Sequence, residues 1–269
     1  MFYNAKNGNI KIGNSDMDYI SFGKGDKSLI MIPGLSDGLK TVKGTAAAIF
    51  VMYKCFANDY KVYLLSRKNL LEYGCSTRDM AADYKEAMDK LGITQADFMG
   101  VSQGGMIAQY IAIDYPETVG KLVLAVTLSK PNETVQKVIS SWIRMAESND
   151  YMGIFIDSAE KTFTEKRLKR YRPLYPLLGR IGKPRDFSRF IIQANSCISH
   201  DAYKELEKIK CPALVIGVKD DKVAGVGSSE EIAEKIVSSK LIIYEGFGHG
   251  VYEEAKDFNN HVLDFLKGK

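Results

Sequence analysis

Apolar positions along the chain fall into two alternating patterns. Short runs rich in Val, Ile, Leu and Tyr recur at 28–34 (SLIMIPG), 61–67 (KVYLLSR), 96–102 (ADFMGVS), 121–127 (KLVLAVT), 212–218 (PALVIGV) and 240–246 (KLIIYEG). Several are apolar throughout instead of alternating, as in strands covered on both faces of a parallel sheet, so all six are expected to be buried strands. Segments of helical period lie between them. STRDMAADYKEAMDKLG opens on a cap-like S-x-x-D and stops at Gly92, QGGMIAQYIAIDYP stops before Pro116, and SSEEIAEKIV and AKDFNNHVLDFLK follow later. Strand–helix alternation predicts an α/β protein with a doubly wound, mostly parallel sheet. The opening NGNIKIG and MDYISFG read as an antiparallel hairpin on the edge of that sheet. No internal repeat interrupts the pattern.

One stretch breaks the rhythm. From about Lys130 to His200 no run has strand character. ETVQKVISSWIRMAE puts Val135, Val138, Ile139, Trp142 and Ala146 on one helical face, and DFSRFIIQANSCI does the same with Phe187, Phe190, Ile191, Ala194 and Ile198. Because strands flank it, this stretch is expected to be a helical insertion over one end of the sheet. The division is 1–129 for the first part of an α/β core, 130–200 for the insertion and 201–269 for the second part. Apolar faces there either pack on the core or line a pocket above the strand ends, where open α/β sheets hold their ligands. Trp142 and Phe190 are the candidates for touching a substrate.

Composition narrows the class. The 269 residues are 45% hydrophobic and 26% charged, which suits one globular domain with an inserted piece. The four cysteines form no C-x-x-C pair and there are three histidines, so no metal site is expected and the thiols read as reduced. The N-terminus lacks the apolar core of a signal peptide, and the longest apolar run, AAAIFVMY, is too short to span a bilayer. A soluble, cytoplasmic protein with no integral membrane segment is expected. The net charge of +4 is uneven: residues 160–189 carry ten Lys/Arg against three Asp/Glu, a local +7, which leaves 4 − 7 = −3 for the rest. Nothing resembles a nucleic-acid module. The basic run with Lys166, Arg167 and Lys169 is either the wet side of a helix or an attractor for an anionic substrate.

Chemistry concentrates at GVSQG. It satisfies G-x-S-x-G with a strand just before and a helix just after, the context of a nucleophile elbow, in which a strained turn displays the serine hydroxyl above the sheet. Ser102 is therefore the candidate nucleophile. A serine hydroxyl needs a base near neutral pH. His249, in the glycine-flanked loop EGFGHGVYEEA between the last strand and the last helix, is expected at the same strand-end surface. His261 sits inside a terminal helix and reads as a surface or packing residue; His200, at the exit of the insertion, reads as structural, with a place at a pocket rim as the other option. The third group should be a carboxylate that fixes the imidazole tautomer. PALVIGVKDDKVAG supplies two adjacent ones, Asp220 and Asp221, in the order Ser, Asp, His.

With these motifs the chain resembles the α/β-hydrolase fold superfamily, in its small soluble esterase- and peptidase-like branch with a helical cap. SLIMIPGLSDG is similar to the oxyanion strand and loop, GVSQGG to the elbow, PALVIGVKDD to the acid strand and GFGHGVYEE to the histidine loop. Matching the acid-strand pattern from Pro212 puts Asp221 at the aspartate, with Val223 and Ala224 as the aliphatic pair after it. The resemblance implies that Ser102, Asp221 and His249 form a catalytic triad, that the backbone amides of Leu35 and Gln103 form the oxyanion hole, and that no metal or organic cofactor is used. Hydrolysis of a small acyl substrate, of ester type, follows. The alternatives on the same fold are an aminopeptidase, lactonase or acyltransferase, or a catalytically slow small-ligand binder. Two stretches depart from the family pattern: Pro33-Gly34 replaces His-Gly, and SRKNLLEYGCST replaces D-x-R-G-x-G-x-S.

Overall fold

The computed structural model describes residues 4–179 and 182–269. Its frame is one eight-stranded sheet: β1 Lys6–Ile12, β2 Ser15–Phe22, β3 Lys27–Ile32, β4 Tyr60–Lys68, β5 Ala96–Val101, β6 Val119–Ala125, β7 Ala213–Val218 and β8 Ser239–Tyr244. Their spatial order is β1-β2-β4-β3-β5-β6-β7-β8. β1 and β2 form the edge hairpin, β2 runs antiparallel to β4, and every pairing from β4 to β8 is parallel. Parallel neighbours require crossovers on the faces of the sheet, and the helices supply them.

On one face lie helices Thr77–Lys90, Gln103–Asp114 and Ser228–Lys235, which bury Met80, Tyr84, Ile107, Ile111 and Ile232 against the strands. On the other, Ala46–Tyr53 and Phe258–Lys267 bury Phe50, Phe258 and Val262. The S-x-x-D signal is a capping box: Ser76 Oγ accepts from the Asp79 amide, and the Asp79 carboxylate accepts from the Ser76 amide. Gly92, at φ +69°, ends that helix in the left-handed region. AAAIFVMY, apolar on all sides, is the helix Ala46–Tyr53.

The expectation of six buried strands needs one correction. β7 is buried at all six positions, but β8 is half-buried to exposed along its length, with Leu241 at 41% exposure. β8 is the last strand and pairs only with β7, so its continuous apolar pattern reflects position beside the core without full cover.

Between β6 and β7 the described residues contain helices Glu133–Glu147, Tyr151–Thr162, Glu165–Tyr171, Tyr175–Leu178 and Ser188–Ser199, and no strand. They form a helical cap. Val135, Val138, Ile139, Trp142 and Ala146, the face expected from periodicity, are all buried, as are Phe187, Phe190 and Ala194; Ile191 and Ile198 are only partly buried. These side chains share one cluster with Leu35, Leu128, Val223 and Ala224, which stand just beyond the ends of β3, β6 and β7. The cap thus sits over the C-terminal ends of the strands. No described helix is long and apolar enough to cross a membrane.

Candidate active site

Ser102 joins β5 to the helix Gln103–Asp114 with φ +54° and ψ −120°, a conformation that non-glycine residues seldom adopt. The turn closes through backbone bonds: the Ser102 amide donates to the Ala125 carbonyl at 2.9 Å, and its own carbonyl accepts from the Gly105 amide at 2.8 Å and the Thr127 hydroxyl at 2.7 Å. Small neighbours are obligatory. A Cβ at Gly100 would overlap the Gly104 carbonyl, one at Gly104 would overlap the Ile32 carbonyl, and one at Gly105 would come within 2.7 Å of Thr127. The three glycines let β3, β5 and the helix approach closely enough to present the serine.

The loop after β8 brings His249 to this point. Its Nε2 lies 3.0 Å from Ser102 Oγ, and its Nδ1 lies 3.0 and 2.9 Å from the two carboxylate oxygens of Asp221. Both His249 and Asp221 are buried, at 6% and 5% exposure. Asp221 Oδ1 also accepts from the Val223 and Ala224 amides, each at 2.8 Å. Burial pushes its carboxyl up, but the adjoining imidazole and these donors outweigh that, and its pKa lies below the ordinary value. Asp220 is exposed. Of the two adjacent acids, Asp221 is the one that meets the histidine. A hydroxyl, an imidazole and an ionised carboxylate in this order can pass the hydroxyl proton to the ring and steady the resulting imidazolium.

Leu35 begins a short 3₁₀ turn after β3, and Gln103 begins the elbow helix. Neither backbone amide finds an acceptor among the described residues. Gly34, between Leu35 and β3, lies against Ser102: a Cβ there would be 3.4 Å from the serine Cβ.

A buried polar cluster that the sequence reading did not anticipate backs this loop. Arg67, at the end of β4 and 1% exposed, donates through Nη2 to the Gly34 carbonyl at 3.2 Å and to Gln103 Oε1 at 2.5 Å. Asp37 lies 3.6 Å from the other end of that guanidinium and 2.5 Å from Arg189 of the cap. Gln103 Nε2 in turn donates to the Gln193 carbonyl at 2.7 Å and to Ser196 Oγ at 3.0 Å. Arg67 belongs to SRKNLLEYGCST, the stretch that departs from the family pattern. The only signal for it in the sequence was a charge at the end of a strand whose centre, residues 62–65, is apolar.

Above Ser102 and His249 is a cavity of about 210 Å³. Trp142 and Phe190 line it, along with Met106, Leu128, Ile139 and Phe155. Trp142 Nε1 donates to Asp157 at 2.7 Å, so the indole's polar edge is occupied. Phe155 comes from Tyr151–Thr162, a helix that periodicity did not single out. The other histidines stand elsewhere. His200 is buried against Thr77 and Gln109 and does not line the cavity; His261 is exposed beside Asp257. No group of three or more His, Cys, Asp or Glu able to hold a metal ion occurs among the described residues.

The parallel sheet, the elbow serine above it and the helical cap between β6 and β7 define an α/β hydrolase architecture. The model of the alpha/beta hydrolase fold family matches residues 27–153, and one described as TAP-like protein matches 193–268. The chain belongs to the α/β-hydrolase fold superfamily. It is 27% identical to a 2-hydroxy-6-oxononadienedioate/2-hydroxy-6-oxononatrienedioate hydrolase of Paraburkholderia phymatum, over 92% of this chain and 90% of that one. It is 24% identical to 3-oxoadipate enol-lactonase 2 of Acinetobacter baylyi, over 93% of both chains. Among solved structures, MGS-M2, an alpha/beta hydrolase enzyme from a Medee basin deep-sea metagenome library, superposes with a TM-score of 0.84 at 20% identity, covering 97% of each chain. These relatives are hydrolases.

Proposed function

We propose that this protein is a serine hydrolase that cleaves an ester-type acyl bond of a small molecule through an acyl-enzyme. One observation carries the reading: Ser102 Oγ, His249 Nε2 and Asp221 are aligned by hydrogen bonds of 3.0 Å or less. Ser102 Oγ attacks the acyl carbonyl carbon while His249 Nε2 takes its proton, and Asp221 holds the ring at Nδ1. The tetrahedral oxyanion is stabilised by the Leu35 and Gln103 amides, whose lack of other acceptors supports that role. The imidazolium then gives its proton to the departing alcohol. Water, deprotonated by the same nitrogen, attacks the acyl carbon; the bond to Ser102 Oγ breaks, the imidazolium returns its proton to that oxygen, and the acid is released. Every step uses residues of this chain alone. The cap, residues 130–200, bears the specificity in this reading, with Trp142 and Phe190 against the acyl group.

A fluorophosphonate probe tests the reading. Stoichiometric labelling of the wild type, abolished in Ser102→Ala, is expected. Absence of labelling in the wild type would favour a ligand-binding role and overturn the hydrolase.

A further inference from the structure

The walls of the cavity say which acyl groups it can hold. Its polar lining is confined to Ser36, Ser102, Ser158, Thr162, His249, Tyr252 and Glu253, together with the buried thiol of Cys197, and no described lysine or arginine lines it. Ser158 already donates to the Phe155 carbonyl at 3.1 Å. The +7 segment does not change this. Lys161 pairs with Asp157, Arg167 with Glu253 at 2.7 Å, and Arg172 with Glu160 and Glu165 at 2.7 and 2.6 Å, while Lys166, Lys169 and Arg170 are exposed on the outside. Within the basic run, Arg167 is thus engaged by Glu253, an acid that lines the cavity.

We infer that the cavity selects uncharged, apolar acyl groups and rejects substrates carrying a carboxylate at the far end of the acyl chain. The inference rests on the ester-hydrolase reading and deepens it. A carboxylate pushed among Leu128, Ile139, Ile154 and Phe155 loses its water and gains no cation, a cost that far exceeds any hydroxyl hydrogen bond it could accept. Methylenes placed there gain roughly fourfold each in kcat/KM until the cavity is filled. The contrast is with the two relatives described above, one named for a dioate, with two carboxyl groups, and one for the enol-lactone of a 3-oxoadipate, in which the lactone ties up one of the two.

Three p-nitrophenyl esters built on the same six-carbon acyl chain test it: hexanoate, the free-acid hemiester of adipate, and its methyl-capped form. At pH 7.5 the hexanoate ester is expected to exceed the hemiester in kcat/KM by at least about 100-fold, with the methyl cap recovering most of the difference. Glu253→Gln, which frees Arg167 beside the cavity, is expected to narrow the hexanoate-to-hemiester ratio at least severalfold. Equal turnover of hexanoate and hemiester would overturn the inference and leave the hydrolase standing. A capped ester as poor as the free acid would also overturn it, since length or polarity would then be the discriminant. Turnover of none of the three, with no fluorophosphonate labelling, would remove the hydrolase reading and this inference together.

Discussion

His249 and His200 are both buried, at 6% and 2% exposure, yet their neighbours make them opposite groups. His249 is held between a carboxylate and a hydroxyl, so a proton arriving on its ring meets an adjacent negative charge. His200 has no carboxylate. Its Nε2 lies 3.3 Å from Gln109 Oε1 and its Nδ1 lies 2.9 Å from Thr77 Oγ1. With the amide oxygen facing Nε2, the network assigns the neutral Nε2–H tautomer, donating to Gln109 and accepting from the Thr77 hydroxyl. Burial alone drives its pKa down to about 3. Desolvation alone makes a buried imidazole a poor base; in the proposed mechanism the Asp221 carboxylate steadies the charge that His249 takes on.

The largest effects should come from dismantling the first environment. Ser102→Ala and His249→Ala are each expected to lower kcat on p-nitrophenyl esters by on the order of 10⁴–10⁶, with a Tm close to wild type. A residual rate within tenfold of wild type would remove either residue from the mechanism. Asp221→Asn should cost about 10⁴ in kcat, because an amide can donate to Nδ1 and so favour the wrong tautomer. Asp220→Asn, one residue away but exposed, should stay within about twofold. Reversal of that pair would move the acid to Asp220.

A smaller effect is expected from the charge cluster behind the Gly34–Leu35 loop. Arg67 reaches the Gly34 carbonyl and the Gln103 side chain with one nitrogen, and so ties together the two segments that offer free amides. Lysine lacks the planar fork and cannot keep both contacts while facing Asp37. Arg67→Lys should lower kcat roughly 10- to 100-fold with KM shifted by less than about threefold, since in the proposed mechanism the amides serve the transition state more than the bound substrate. A drop in Tm with kcat unchanged would reduce Arg67 to a structural role.

Legibility in the sequence followed the range of the interactions. The strand cores and the capped helix Thr77–Lys90 were readable because local periodicity and capping produce them. Ser102 was readable because the elbow is a local strain problem whose solution, small residues on each side, is written within six positions. Asp221 against Asp220 was not decided by the residues themselves, since adjacent side chains on a loop differ only in which way the loop faces. Arg67, Asp37 and Arg189 were invisible for a stronger reason: they lie 30 to 152 positions apart, and a charge at a strand end is normally solvated. The helix Tyr151–Thr162 was missed because its face toward the cavity mixes Ser158 and Thr162 with Ile154 and Phe155.

The smallest effect separates the second histidine from the first by pH. In the folded protein His200 stays neutral down to about pH 3, whereas in the unfolded chain it takes up a proton near its ordinary value of 6.5. Between those limits the unfolded state binds the extra proton, so lowering the pH destabilises the fold by about 1.4 kcal/mol per unit from this residue alone. The contribution is fully present above pH 6.5 and declines as pH falls. His200→Gln removes the titrating group and breaks up a buried network, at a cost of about 1–3 kcal/mol at pH 7. Its stability should then fall less steeply with acid than that of the wild type, by that same increment per unit, in urea unfolding measured from pH 7 to 4.5. Turnover should stay within about twofold, because His200 does not line the cavity. Parallel stability curves would mean that His200 takes up its proton at the same pH in the folded and unfolded states, and burial would then not set it apart.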